Sequence, residues 1–383
     1  MSKKPHNAEY VKQYNRKKIL NLLSREPLSR AELARRTGLT RSAISVIVDE
    51  LLSSSILIEQ PTISQKRGRS PSPLTLNTEC FYAAGIYLNR QSCHIGLHDI
   101  SGKCHALSSI PLTKEKQTKE VIDAMSAAMK LMLQEHPKIK DSLLGIGISA
   151  PGPLDISNGR ILNPPEFDLW HQMPICEEIK KNLHYPVYLS DNADSLAIYN
   201  MRYNSTIQTS DFMLLLVDSG IGSGIISNGI LHRGVNRMSP EIGHISINYN
   251  GKKCGCGNRG CLEAYASIPH LFADTGSTYL SWEAVMRDVQ KKVPAALKLL
   301  ETEAEYLASG IMSAINLFSL DTIILAGDIL CGFDDMQRLL LKKLRSQALL
   351  KTASDITITA SDTREHYHII SAANIVFTAH LNI

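Results

Sequence analysis

The sequence predicts a small winged helix-turn-helix joined to a larger α/β body. Three observations carry that reading. Charge is uneven: residues 1–72 hold 14 Lys/Arg and 6 Asp/Glu, a net of +8, while the other 311 residues hold 27 and 31, a net of −4. Residues 29–52 combine a helix-capping signature, a short turn and an apolar helical face. From about residue 80, apolar runs of strand length alternate with helical stretches, the pattern of layered α/β folds. A chain of 383 residues suggests two to three domains. With 44% hydrophobic and 20% charged residues, wholesale disorder is excluded. No apolar run reaches the length of a membrane span, and residues 1–6 lack a secretory core. Eight cysteines are too sparse for a disulfide scaffold, so a cytoplasmic protein is expected.

The elements follow in order. Residues 14–23 place Ile19, Leu20, Leu22 and Leu23 on a helix. Ser29-Arg30-Ala31-Glu32 fits a capping box, opening a second helix with Leu33 and Ala34 inside and a stop near Gly38. Thr40 can cap a third helix that buries Ile44, Ile47, Val48, Leu51 and Leu52. The turn Thr37-Gly38-Leu39-Thr40 makes the pair a helix-turn-helix. Residues 56–60 and 74–76 read as the two strands of a wing. In the body, strands are expected at 83–88, 92–98, 143–149, 187–190, 212–217 and 322–326, and helices at 119–134, from 191 to about 202, and at 304–318.

The basic module is expected to bind DNA. Burying Ile44, Ile47 and Val48 turns Arg41, Ser42 and Ser45 outward. Arg41 and Ser42 stand with Thr40 at the end of the helix that reaches base edges in this motif. Arginine can bond guanine bidentately, and serine can bond bases or phosphate. Lys17, Lys18, Arg30, Arg35 and Arg36 are expected on phosphates, which position without specifying. Arg67 and Arg69 in the wing could enter a minor groove. A small protein-binding helical domain with a solvated basic face is the bland alternative.

His244, Cys254, Cys256 and Cys261 form a metal candidate. One imidazole and three thiolates suit tetrahedral zinc, and four protein ligands close the site, as structural zinc sites do. The loop Asp218-Ser219-Gly220-Ile221-Gly222-Ser223-Gly224 follows a strand but lacks the Gly-Lys-Ser/Thr of a Walker loop. Glu241 and Glu263 flank the metal segment and could accept hydrogen bonds from sugar hydroxyls or, more plainly, form surface ion pairs.

The run from Glu241 to His244, followed by Cys254-Gly255-Cys256-Gly257-Asn258-Arg259-Gly260-Cys261-Leu262-Glu263, resembles the signature of the ROK family of sugar kinases and sugar-responsive repressors. Gly145-Ile146-Gly147-Ile148-Ser149-Ala150-Pro151-Gly152-Pro153, Asn163-Pro164 and Trp170 extend the resemblance. It implies an actin-like (ribonuclease H-like), two-lobed α/β body with sugar in the cleft. The expected divisions are 1–78 for the winged helix, 79–190 for the first lobe and 191–383 for the second, with room for the C-terminal helix to return to the first. Gly152, Asn163, Asp191, Asn192, Glu241, His244 and Glu263 become the implied sugar residues, His244 doubling as a ligand of one structural zinc.

Departures from the kinase pattern shape the functional expectation. The family's Asp-x-Gly-Gly-Thr phosphate loop is replaced by Tyr87-Leu88-Asn89-Arg90-Gln91. Its catalytic Asp aligns with Asn192 of Asp191-Asn192-Ala193-Asp194, and loss of a general base typically costs about 10²–10⁴-fold. Asp328 stands where a glycine usually lies near the nucleotide. The resemblance therefore implies a DNA-binding repressor of carbohydrate genes rather than an enzyme. Its partners would be operator DNA, a sugar or sugar-phosphate effector, and a second copy or more of the chain, with no membrane insertion. The alternatives are an active sugar kinase carrying a DNA-binding domain and a regulator whose signal is a protein.

Overall fold

The computed structural model describes residues 8–61, 72–113, 117–165, 167–234, 237–347 and 356–381. The N-terminal unit contains α1 (Ala8–Leu23), α2 (Arg30–Thr37), α3 (Arg41–Ser53) and the antiparallel pair β1 (Leu57–Glu59) and β2 (Leu74–Leu76). Ser29 and Glu32 form the expected reciprocal capping box. Gly38 ends α2 at φ 73°, the left-handed region that glycine enters without Cβ strain. Thr40 caps α3 through the Ala43 amide. Leu52, expected inside, is only half-buried.

The first lobe is a five-stranded sheet ordered β5-β4-β3-β6-β9. Its elements are β3 (Tyr82–Leu88), β4 (Ser92–Asp99), β5 (Cys104–Pro111), α4 (Thr118–Glu135), α5 (Pro137–Asp141), β6 (Leu143–Ala150), the small hairpin β7 (Leu154–Asp155) and β8 (Arg160–Ile161), α6 (Ile175–Leu183) and β9 (Val187–Asp191). α7 (Asn192–Tyr203) leads into the second sheet, ordered β12-β11-β10-β13-β14. That lobe holds β10 (Phe212–Val217), β11 (Ile221–Ser227), β12 (Ile230–Leu231), α8 (Glu263–Ala266), α9 (Ile268–Thr275), α10 (Trp282–Gln290), α11 (Pro294–Phe318), β13 (Thr322–Ala326), α12 (Phe333–Gln347) and β14 (Thr357–Ala360). The last helix, α13 (Tyr367–Leu381), packs back on β3 and β6 of the first lobe. Gly147 permits this approach, because a Cβ there would lie 1.9 Å from the Ala372 carbonyl oxygen.

The Gly-rich stretch after β10 is a tight hairpin rather than an open loop. Leu216 pairs with Gly222 and Val217 with Ile221. Gly224 faces α7, where a Cβ would meet the Ala193 carbonyl at 2.5 Å. Its glycines therefore serve sheet pairing and helix packing.

The winged helix is joined to the body by one apolar cluster. Leu20, Leu33, Val48 and Leu51 belong to the same core as Ala83, Ile100, Val376 and Phe377. Arg25 adds a polar tie: its guanidinium donates to the carbonyls of Met201 (2.5 Å), Arg202 (3.4 Å) and Ile207 (3.2 Å), around the C-terminal end of α7. Among the described residues no helix is long and apolar enough to cross a membrane.

Candidate DNA face, metal centre and interlobe cleft

Arg41 and Ser42 are exposed at the N-terminus of α3, and Thr40 stands beside them, its hydroxyl 3.1 Å from that of Ser42. Ser45 is half-buried and Arg35 exposed. Val46, which sequence reasoning passed over, is 56% exposed on the same helix. An apolar side chain there can contact a thymine methyl group. The basic residues divide by surroundings. Lys18 is exposed and donates to the Thr37 carbonyl at 3.2 Å. Arg30 is drawn to Asp49 (2.8 Å) and Glu59 (3.6 Å), and Arg36 to Glu26, so both have partners within the domain. Lys17 corrects the phosphate expectation: it turns toward the body beside Arg202, where burial first and that cation second hold its ammonium below the ordinary lysine range. Arg67 and Arg69 lie outside the described residues.

The four metal candidates converge. Their donor atoms all lie within 4.8 Å of one another. Cys254 Sγ is 3.6 Å from His244 Nδ1, and Cys256 Sγ is 3.7 Å from Cys261 Sγ. Sulfurs about 2.3 Å from a tetrahedral zinc stand about 3.8 Å apart, so donor set and spacing both fit such an ion. The tight loop needs its glycine at 260, at φ 71°, where a Cβ would meet the Asn248 carbonyl at 1.8 Å. Backbone bonds from Leu262 to Ile245 and from Ile247 to Gly260 tie this loop to the strand-like segment after His244. The node thereby fixes two carboxylates relative to each other: Glu241, three residues before His244, and Glu263, two after Cys261.

Both carboxylates line the cleft between the lobes with Gly152, Asp191, Asn192 and His244. Glu263 is buried and accepts a 2.8 Å bond from the Ile221 amide. Asp191 caps α7 through the Ala193 amide at 2.8 Å. A Cβ at Gly152 would sit 3.0 Å from Glu241 Oε1 and 3.1 Å from Asp191 Oδ2, so only glycine leaves that gap clear. Removal from water, then the charge of Asp194, raises Asp191 to about 7. Removal from water, then Asp191 and Glu263, raises Glu241 to about 8. Near neutral pH Glu241 thus keeps a proton it can donate, while Asp191 is within its titration range, a set suited to a polyhydroxyl ligand. Asp194 itself is held by Arg233 at 3.1 Å and the Ser239 hydroxyl at 2.7 Å.

Asn192 is held at both ends of its amide. Its amide oxygen accepts from the Ser149 hydroxyl (2.7 Å) and its amide nitrogen donates to the Leu88 carbonyl (2.9 Å). Asn163 lies outside the cleft lining: it is exposed, and its amide oxygen accepts from Gln172 at 3.0 Å. Pro165 lines the cleft instead. Arg90 was missed as a site residue, although it stands in the altered phosphate-loop segment. Its guanidinium crosses the cleft to the Ser219 hydroxyl (3.3 Å) and also bonds the Pro165 carbonyl (3.2 Å). Asp218, in the cleft lining, is raised by burial and further by the nearby charge of Asp328.

The ROK family model matches residues 84–378, and the MarR family model matches residues 15–68. The xylose repressor of Bacillus subtilis (strain 168) is 28% identical over 356 residues, covering 91% of this chain and 89% of that protein. The DNA-binding transcriptional dual regulator NagC of Escherichia coli (strain K12) is 26% identical, covering 98% and 95%. Among solved structures, a ROK family transcriptional regulator, a homolog of the E. coli MLC protein, superimposes with a TM-score of 0.77 at 23% identity, covering 96% of each chain. A ROK glucokinase from Streptomyces griseus, in complex with glucose and AMPPNP, gives 0.64 at 21% identity, covering 77% of this chain and 98% of its own. The body follows the two-sheet fold of both structures. The chain therefore belongs to the ROK family, with a MarR-type winged helix at its N-terminus.

Proposed function

We propose that the chain is a transcriptional repressor of carbohydrate genes, its operator affinity set by a sugar or sugar phosphate held in the interlobe cleft. The observation that carries this reading is one continuous architecture. An exposed Arg41–Ser42 reading face is built onto a body whose cleft gathers Asp191, Glu241 and Glu263. Near-full-length similarity to repressors named for xylose and N-acetylglucosamine supports it. His244, Cys254, Cys256 and Cys261 hold one structural zinc, which supplies no chemistry of its own but braces the sugar loop. A homodimer or homotetramer in the cytoplasm presents paired reading heads to a palindromic operator. Sugar binding favours one lobe arrangement, and α7 with its Arg25 tie carries the difference to the head.

The body binds sugar without phosphorylating it. Asn192 carries an amide, which cannot take a proton from a sugar hydroxyl, Arg90 occupies the cleft beside Ser219, and the Asp218 carboxyl in the cleft lining disfavours phosphate. One observation favours a kinase instead: Asp191, adjacent to Asn192, is raised to about 7, the range of a general base. A coupled ATPase assay across a sugar and sugar-phosphate panel, run beside operator binding, decides between them. The expected result is sugar-dependent operator affinity, weakened in Glu263→Gln, with no sugar-dependent ATP turnover. Robust phosphorylation by the unmodified protein would overturn the repressor reading.

A further inference from the structure

Asp191 and Glu241 meet across Gly152 but reach it from different parts of the chain. Asp191 ends β9 of the first sheet, and Glu241 follows the loop after β12 of the second. The Asp191 charge opposes ionisation of Glu241. Carboxyls in that relation repel, so their spacing has to be imposed from outside the pair.

Behind the cleft lies a clasp that joins the two backbones. Asp194, fully buried in the first turn of α7, accepts at Oδ2 from Arg233 Nε (3.1 Å) and from the Ser239 hydroxyl (2.7 Å). Arg233 also donates through Nη2 to the Ser190 hydroxyl at 3.2 Å. Ser190 immediately precedes Asp191 and Asp194 lies in the next turn, so one guanidinium holds the chain on both sides of that carboxyl. The other arm is as short. The Gly234 amide donates to the Met238 carbonyl at 2.9 Å, which brings Arg233 and Ser239 together at the neck of their loop. Only Pro240 separates Ser239 from Glu241, and its carbonyl accepts from the Ser223 hydroxyl of β11 at 2.9 Å. The side chains of Asp194, Arg233 and Ser239 do not line the cleft. Burial raises Asp194, and Arg233 opposes that rise. The planar guanidinium fixes direction as well as charge, which an ammonium does not.

We propose that Asp194 and Arg233, with Ser239, are positioning residues for the effector: they touch no ligand but set the spacing of Asp191 and Glu241, and through it the affinity of the cleft. This role rests on the cleft being the sugar site. It places the control of affinity behind the cleft, in a contact that crosses from β9 of the first sheet to the loop after β12 of the second.

The test uses the full-length protein and three variants. Arg233→Gln removes both charge and fork, and Arg233→Lys restores charge alone. The double variant Asp194→Asn, Arg233→Gln replaces the ion pair with two amides, so no unpaired carboxylate is left buried and the melting temperature should stay closer to that of the unmodified protein. Without sugar, hydrogen exchange in Arg233→Gln should quicken by about tenfold or more at the amides of Ala193, His244 and Ile245, which bond Asp191, Glu241 and Ile242, while β3 and β13 keep their rates. Arg233→Lys should recover part of that protection, and the double variant should keep the local quickening despite its higher melting temperature. Operator release is then titrated with D-xylose and with N-acetylglucosamine. The sugar that releases operator from the unmodified protein should be needed at about tenfold higher concentration in Arg233→Gln, with operator affinity unaltered in its absence. Exchange quickened throughout the second lobe with no local excess would reduce the pair to a structural ion pair. A double variant with normal local exchange and normal sugar response would overturn the positioning role. Failure of both sugars on the unmodified protein would count against the sugar reading, while the exchange rates decide the clasp by themselves.

Discussion

Lys17 and Lys18 are adjacent in sequence and opposite in surroundings. Successive helical residues point about 100° apart, so one faces the body and the other remains exposed beside α2. Charge counting treats them alike, and only packing separates them. For DNA, Arg41→Ala is expected to reduce discrimination between operator and altered sites by about 1–3 kcal/mol. Lys18→Ala should instead weaken specific and random DNA equally and flatten the salt dependence by about one unit of slope. Anisotropy titrations at several salt concentrations distinguish the two, and identical behaviour would remove Arg41 from base reading. In the cleft, Asp191 and Glu241 are raised to about 7 and about 8. The folded state then holds more protons than the unfolded state between the ordinary carboxylate range, about pH 4, and pH 8. Stability from this pair is complete below about pH 4 and is lost as pH rises through 7 to 8. Melting curves from pH 5 to 8 should show that slope, flattened in Glu241→Gln. An unchanged slope would mean that other groups set it.

At the scale of elements, α7 connects the two functional ends. Asp191 caps its start in the interlobe cleft, and Arg25 binds carbonyls around its end. The helix is buried nearly all round, so its residues show no apolar stripe for sequence periodicity to find. Arg25→Ala leaves those carbonyls without their charged donor and should cost about 1–3 kcal/mol of local stability. Hydrogen exchange should quicken in the last turn of α7 and in α1, and the sugar response at the operator should weaken. Unaltered exchange and response would exclude the tie from signal transmission. The capping box at Ser29 and Glu32 was legible because its chemistry is local. The hairpin at residues 217–221 read as a glycine loop, because its strand pairing depends on residues that sequence spacing alone does not align.

For the whole molecule, the proposed zinc node and the core shared by head and body are where stability is expected to turn. Metal analysis of protein purified without chelator should find one zinc per chain. Cys256→Ser should lower the melting temperature by roughly 6–12 °C, the shift expected for a loss of about 3 kcal/mol in a domain of this size. It should also abolish the sugar response, since Glu241 and Glu263 are placed by the same loop. Full metal-free protein with normal melting and response would remove the metal role. The head is not an independent bead: its core continues into α13, so lobe movements bear directly on it.

What the sequence determined by itself is local or carried by close spacing. The cap at Ser29, the start of the third helix at Arg41 and the convergence of the Cys-Gly-Cys segment with His244 are short-range chemistry, and they take the places expected of them. Tertiary structure alone decided which distant groups meet. It brought Arg90 to Ser219 across the cleft and moved Asn163 out of the cleft lining. It also set Asp191 against Glu241 around Gly152 and joined Lys17 to Arg202. The physical reason is that burial and charge proximity are properties of packed neighbours. Residues separated by 50 to 185 positions acquire them only when two sheets, one bridging helix and a returning C-terminal helix pack against one another.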